Sequence, residues 1–97
     1  MNIKQSISND ELRVKIFKAL ADENRLAIVR LLHENHDNME YGKLSAAFNV
    51  GKSTISYHLK IMHEAGLITF VKHGQSKDVQ LNKMVFDGVL PGFLATL

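Results

Sequence analysis

The sequence predicts a mainly α-helical single domain, residues 1–97, that carries one small β-hairpin, and three observations predict it. Apolar residues recur at helical spacing through most of the first two thirds of the chain. A short glycine-containing break, "NVG", separates two short helical patterns. After Gly66 the period changes from helical to extended, with a turn sequence "HGQS" between two runs.

In chain order, a first helix is expected to start after Ser8 or Asn9, both good N-caps, with Asp10 and Glu11 suiting its positive end. It runs to about Leu20, and Leu12, Ile16, Phe17 and Leu20 follow its period. Asp22 can cap a second helix, "ENRLAIVRLLHEN", whose Leu26, Ile28, Val29, Leu31 and Leu32 cover more than one stripe and place it centrally. The polar break "NHDN" leads to a third helix over residues 41–48, with Leu44, Ala47 and Phe48 facing inward.

The fourth helix, 52–65, is amphipathic in an instructive way. Ile55, Leu59 and Met62 form a stripe for a core, while Ser53, Ser56, Tyr57 and Lys60 point nearly opposite. Residues 67–82, "LITFVK", "HGQS" and "KDVQLN", then read as a hairpin after a Gly66 C-cap. A helix-turn-helix followed by such a hairpin is a winged helix-turn-helix. The last segment, "KMVFDGVLPGFLATL", is apolar on one helical face, with Asn82 as its cap and Pro91 as the point where a helix would kink or end.

Composition narrows the function. Ninety-seven residues build one core but not a core plus a deep substrate pocket, and no nucleophile elbow or glycine-rich loop is present, so an enzyme is not expected. The longest apolar runs fall far short of the ~20 residues of a membrane span, and the N-terminus lacks the apolar stretch of a secretory signal. Zero cysteines fit a reducing, cytoplasmic setting and leave no thiolate metal site. The net charge is only +2, but residues 52–77 hold four lysines against one acid, Glu64, while the remainder holds eight basic and nine acidic residues.

Two motifs in order carry a family resemblance over residues 11–82. "KALADENRLAIVRLL" resembles "ALADPTRLRILRLL" of the ArsR family of bacterial winged-helix repressors, and "KSTISYHLKIMHEAGLI" resembles its recognition helix "QSTVSHHLKVLREAGLV". "VKHGQSKDVQLN" is similar to the family's wing, "RREGRWVYYRLN". The resemblance implies a homodimer on a double-stranded DNA operator, with contacts at Lys52, Ser53, Ser56 and Tyr57. Metal-sensing members carry two cysteines where this chain has Glu40 and Gly42, and the last helix offers Asp87 without the histidine of a second family site. The wing carries Gln75 where an arginine is usual, and Val79 and Gln80 where aromatics are common.

The DNA-binding set expected is Lys52, Ser53, Thr54, Ser56, Tyr57, His58 and Lys60 on the helix, with Lys72, Gln75 and Lys77 on the wing. His58 lies beside the core stripe and reads equally as a packed histidine; His73 stands near the wing tip. The dimer interface is expected at Leu12, Ile16, Phe86, Leu90, Phe93 and Leu94, because the terminal segment has more apolar surface than one face hides. No cofactor or metal is expected, although His33 and His36 with Asp37 and Glu40 have suitable ligand types. The alternatives are a winged-helix protein-interaction module and a histidine-based metal-responsive repressor. The inducer and the operator sequence are not legible.

Overall fold

The computed structural model describes residues 3–97, with side chains from Asn9 onward. The elements are α1 (Ile3–Leu20), α2 (Glu23–Glu34), β1 (Asn38–Glu40), α3 (Tyr41–Ala46), α4 (Lys52–Glu64), β2 (Ile68–His73), β3 (Ser76–Leu81) and α5 (Lys83–Val89), followed by a 3-10 turn at Leu94–Thr96. This is the winged helix-turn-helix, with α3 and α4 as the two helices of the motif.

Three expectations are corrected. The first helix begins at Ile3, so Asn9 lies inside it rather than at its cap; no proline or glycine interrupts the preceding residues, and capping propensity at one position does not stop a helix. Ala47 is an exposed C-cap rather than an inward residue, because α3 ends at Ala46, two residues short of its apolar pattern. The break after α2 is not only a loop: Asn38–Glu40 form a third strand, giving an antiparallel sheet of order β1-β3-β2.

Asp22 caps α2 as its sequence position suggests, its Oδ1 accepting from the Arg25 N–H at 3.1 Å. α2 then buries Ile28, Val29 and Leu32 and touches α1, α4 and the sheet. The turn after α2 passes through His36 and Asp37, both in the left-handed region at φ 59° and 68°. Asp37 holds that turn: its N–H donates to Leu32 at 2.8 Å, its carbonyl accepts from Leu81, and its carboxylate meets His33 Nδ1 at 2.8 Å and Lys83 Nζ at 3.4 Å. His33 thus has an acidic partner of its own. Among the described residues no three His, Cys, Asp or Glu side chains gather as metal ligands.

Helix α4 stops in a left-handed glycine cap. Gly66, at φ 79°, donates to the His63 carbonyl at 3.0 Å, and Leu67 donates to Met62 at 3.0 Å, the two bonds of a Schellman motif. The chain leaves it directly as β2. The hairpin closes in a two-residue turn with Gly74 at φ 61°, the first central position, and pairs His73 with Ser76.

The core is one cluster that includes Ile16, Ala19, Ile28, Leu32, Leu44, Ile55, Leu59, Met62, Leu67, Val79 and Phe86. α5 ends at Val89, and Pro91 follows its C-cap Leu90, so the terminal segment folds back: the Phe86 and Phe93 rings stack at 6.3 Å. Asn82 makes no side-chain cap. It donates instead to the Gly66 carbonyl, tying α5 to the end of α4. Among the described residues no helix is long and apolar enough to cross a membrane.

Candidate nucleic-acid interface

The apolar stripe of α4 decides what its other side presents. Ile55, His58, Leu59 and Met62 are buried at spacings of three and four, which turns Lys52, Ser53, Thr54, Ser56, Tyr57 and Lys60 outward. Tyr57 is 61% exposed, a large aromatic that the fold leaves in solvent. The N-terminal turn of α4 has no side-chain cap, and Lys52 is exposed at its first position.

His58 is the exception within the expected set. It is 6% exposed, and its Nδ1 lies 3.1 Å from Arg25 Nη1. A guanidinium can only donate, so Nδ1 accepts and the imidazole is the Nε2–H tautomer in this pair. The same Arg25 donates through Nε to the Ala19 carbonyl at 2.6 Å and through Nη2 to Lys18 at 3.4 Å. His58 is therefore packed beneath the outward face, with its Nδ1 engaged by Arg25.

Arg25 also acts on the cap of its own helix. The Arg25 backbone N–H bond holds the Asp22 carboxyl below its ordinary range against a rise from burial, and the charge of Arg25 acts in the same lowering direction. A connected polar joint, Asp22–Arg25–His58, thereby links the end of α1, the start of α2 and the middle of α4.

On the other side of α4, Tyr41 at the first position of α3 brings its hydroxyl to 2.7 Å from Ser56 Oγ, a hydrogen bond in which either hydroxyl can donate. The Tyr41 ring lies 4.6 Å from Lys77 Nζ, and the Phe70 ring lies 4.6 Å from the same ammonium. Lys77 is thus held between two aromatic faces, one from α3 and one from β2. Lys72 and Gln75 stay exposed near the hairpin turn, while His73 Nε2 meets Asp78 Oδ2 at 3.1 Å.

The geometry thus gathers Lys52, Ser53, Thr54, Ser56, Tyr57 and Lys60 on one helix face with a wing beside it, and Tyr41, Ser56, Lys60, His63, Phe70 and Lys77 line the cleft between them. Tyr41, Phe70 and Arg25 were not among the sequence candidates. For Arg25 the partner in α4 lies thirty-three residues away, and no local pattern marks it. For Tyr41 the partner lies fifteen residues away, and no local pattern marks it.

The Glu40 carboxylate accepts from the backbone N–H groups of Gly42 and Lys43 at 2.9 and 3.0 Å, as the cap of α3.

The six expected interface residues divide by burial. Ile16, Phe86 and Leu94 are buried in the chain's own core, Leu90 and Phe93 are half-buried against it, and Leu12 is exposed. Val14 and Phe17 join Leu12 as exposed apolar side chains of α1, at 48%, 52% and 41% respectively.

Comparison with known proteins adds sequence and structural likeness to this geometry. The family described as bacterial regulatory protein, arsR family, matches residues 22–69. The uncharacterized HTH-type transcriptional regulator YceK of Bacillus subtilis is 44% identical over 97 residues, covering 100% of this chain and 95% of that protein. The arsenical resistance operon repressor of Bacillus subtilis is 38% identical over 79 residues, covering 76% of this chain and 70% of that one. The structure of HlyU from Vibrio cholerae superposes with a TM-score of 0.72 at 27% identity, over 92% of this chain and 97% of that chain.

Proposed function

The chain belongs to the ArsR family of bacterial regulatory proteins, DNA-binding transcriptional regulators rather than enzymes, and from that premise we propose that it is a cytoplasmic, homodimeric repressor of an inverted-repeat operator. The observation that carries this reading is the outward face of α4. Lys52, Ser53, Thr54, Ser56, Tyr57 and Lys60 offer short hydroxyls that allow close backbone approach, together with longer side chains that reach base edges or phosphates. Lys72 and Gln75 on the wing supply backbone contacts beside it.

Residues 1–97 act as one DNA-binding domain in this reading. Dimerisation uses the exposed apolar side chains of α1, Leu12, Val14 and Phe17, with Leu90 and Phe93 of the terminal segment. Ile16, Phe86 and Leu94 shape that surface from beneath. Two copies then present two α4 helices about one duplex turn apart, roughly 34 Å, which calls for a two-fold operator. Repression is steric occupation of promoter DNA. Release requires a signal with unequal affinity for DNA-competent and incompetent dimers.

Relatives of both signs support a regulator: one is named a repressor of an arsenical resistance operon and another the transcriptional activator HlyU. Selection from a random duplex library at near-physiological salt tests the reading. Enrichment of an inverted repeat with half-sites one turn apart is expected, and a reporter promoter carrying that site should fall in output when the protein is expressed. A folded protein that enriches no sequence would overturn it in favour of a protein-interaction role.

A further inference from the structure

The Ser56 hydroxyl lies on the outward face of α4, and its only hydrogen bond among the described residues is to Tyr41, at 2.7 Å. A serine hydroxyl offers one donor and two acceptor lone pairs, so whatever occupies one role determines which it presents outward. If the Ser56 proton goes to Tyr41, the helix shows an acceptor to the groove. If Tyr41 donates, the Ser56 proton is free and the helix shows a donor.

The surroundings of Tyr41 decide between them. Lys77 Nζ stands 4.6 Å from the centre of the Tyr41 ring, and the Phe70 ring on the same ammonium keeps it there. A cation against the π face withdraws electron density from the ring and its oxygen, which polarises the phenolic O–H toward donation. Linked hydrogen bonds transmit that preference to the next hydroxyl. We infer that Tyr41 is a positioning residue for DNA specificity: polarised by Lys77 from the wing, it donates to Ser56 and leaves the Ser56 hydroxyl as a donor aimed at the major groove.

The partner that this donor fits is a base-edge acceptor, which means N7 or O6 of guanine, N7 of adenine or O4 of thymine. The amino group of cytosine would meet only the one lone pair that Tyr41 leaves on Ser56, so the free proton favours these acceptors over it. One wing lysine thereby takes part in sequence readout without touching a base. The inference rests on the reading of α4 as the DNA-contacting helix.

The test compares wild type, Tyr41→Phe, Ser56→Ala and Lys77→Met in one random duplex selection, with melting temperature and affinity for random DNA measured alongside. Tyr41→Phe keeps the ring and its ammonium and removes only the hydroxyl. The expected result is that all three variants relax the base preference at the same symmetric pair of positions, by about tenfold in Tyr41→Phe and Ser56→Ala, with affinity for random DNA nearly unchanged. A Tyr41→Phe preference profile identical to wild type would overturn the inference. So would an equal loss on every sequence, which would make Ser56 a phosphate contact or Tyr41 a merely structural residue. Relaxation in Ser56→Ala and Tyr41→Phe but not in Lys77→Met would remove the ammonium from the relay and overturn it in its stated form. Failure of wild type itself to enrich a site would sink the DNA reading, an outcome distinct from these.

Discussion

Arg25 Nη1 donates to His58 Nδ1 across 3.1 Å, joining the second helix to the middle of the helix that carries the outward polar face. Both residues lie under that face. The pair fixes the rotation of α4 about its axis, since a turn of one residue would carry His58 out by about 100° and bring a polar neighbour in.

Arg25→Ala should therefore destabilise the fold by about 2 kcal/mol, because the Ala19 carbonyl and His58 Nδ1 lose their donor in a partly buried place. Arg25→Lys should recover less than half of that loss, since one ammonium cannot reach acceptors that a planar fork serves together. Urea unfolding midpoints give the comparison.

Acid stability should depend on Asp22 and Asp37. For Asp37, burial raises the carboxyl, and the bonds and charges of His33 and Lys83 outweigh it, leaving it lowered like Asp22 from the ordinary 3.8. A carboxyl whose pKa is lowered on folding stabilises the native state above its unfolded value, and that contribution is lost as pH falls through the folded one. Wild type should thus lose stability from about pH 4 downward, with a shallower acid limb in Asp22→Asn and Asp37→Asn. At neutral pH, Asp22→Ala should cost about 1 kcal/mol through the lost cap.

The two kinds of lysine should separate in salt titrations. Lys52→Ala and Lys60→Ala should each lower the salt dependence of DNA binding by about one unit per bound chain. Lys77→Ala should change that slope much less, because its ammonium is already engaged by Tyr41 and Phe70.

Burial should divide the first helix into two phenotypes. Phe17→Glu, on an exposed apolar position, should leave the melting temperature near wild type while converting dimer to monomer in sedimentation velocity. Ile16→Ala, one residue earlier and fully buried, should cost about 3 kcal/mol of stability in the chain's own core. A dimer that survives Phe17→Glu would move the interface elsewhere.

Gly66→Ala should destabilise by about 1 kcal/mol although there is room for the methyl group, whose nearest neighbour is Val85 Cγ2 at 4.0 Å. The cost is the positive φ of the Schellman cap, and thermal melting reads it.

What the sequence showed and hid follows from the range of the interactions. The helices of the motif and the hairpin were legible because period, cap and glycine turn are local, and Asp22 and Gly66 stand where those rules put them. His58 was legible too on a stricter count, since it lies three residues after Ile55 and four before Met62, within the core stripe. β1 was not: three residues have no measurable period, and their state is set by pairing with a strand forty residues later. The Tyr41–Ser56 bond and the ring pair around Lys77 are likewise products of tertiary approach. They hold Lys77, read from sequence as a wing cation, half-buried between two rings.

The pairing of Asn38–Glu40 with residues 78–80 also bears on how the molecule is made. Everything between them, including both helices of the motif, is looped out from a clasp whose second half is Asp78, Val79 and Gln80. A polypeptide leaving the ribosome N-terminus first cannot close that clasp until β3 has emerged. Products terminated before β3 therefore lack the fastening that sets the entrance to α3.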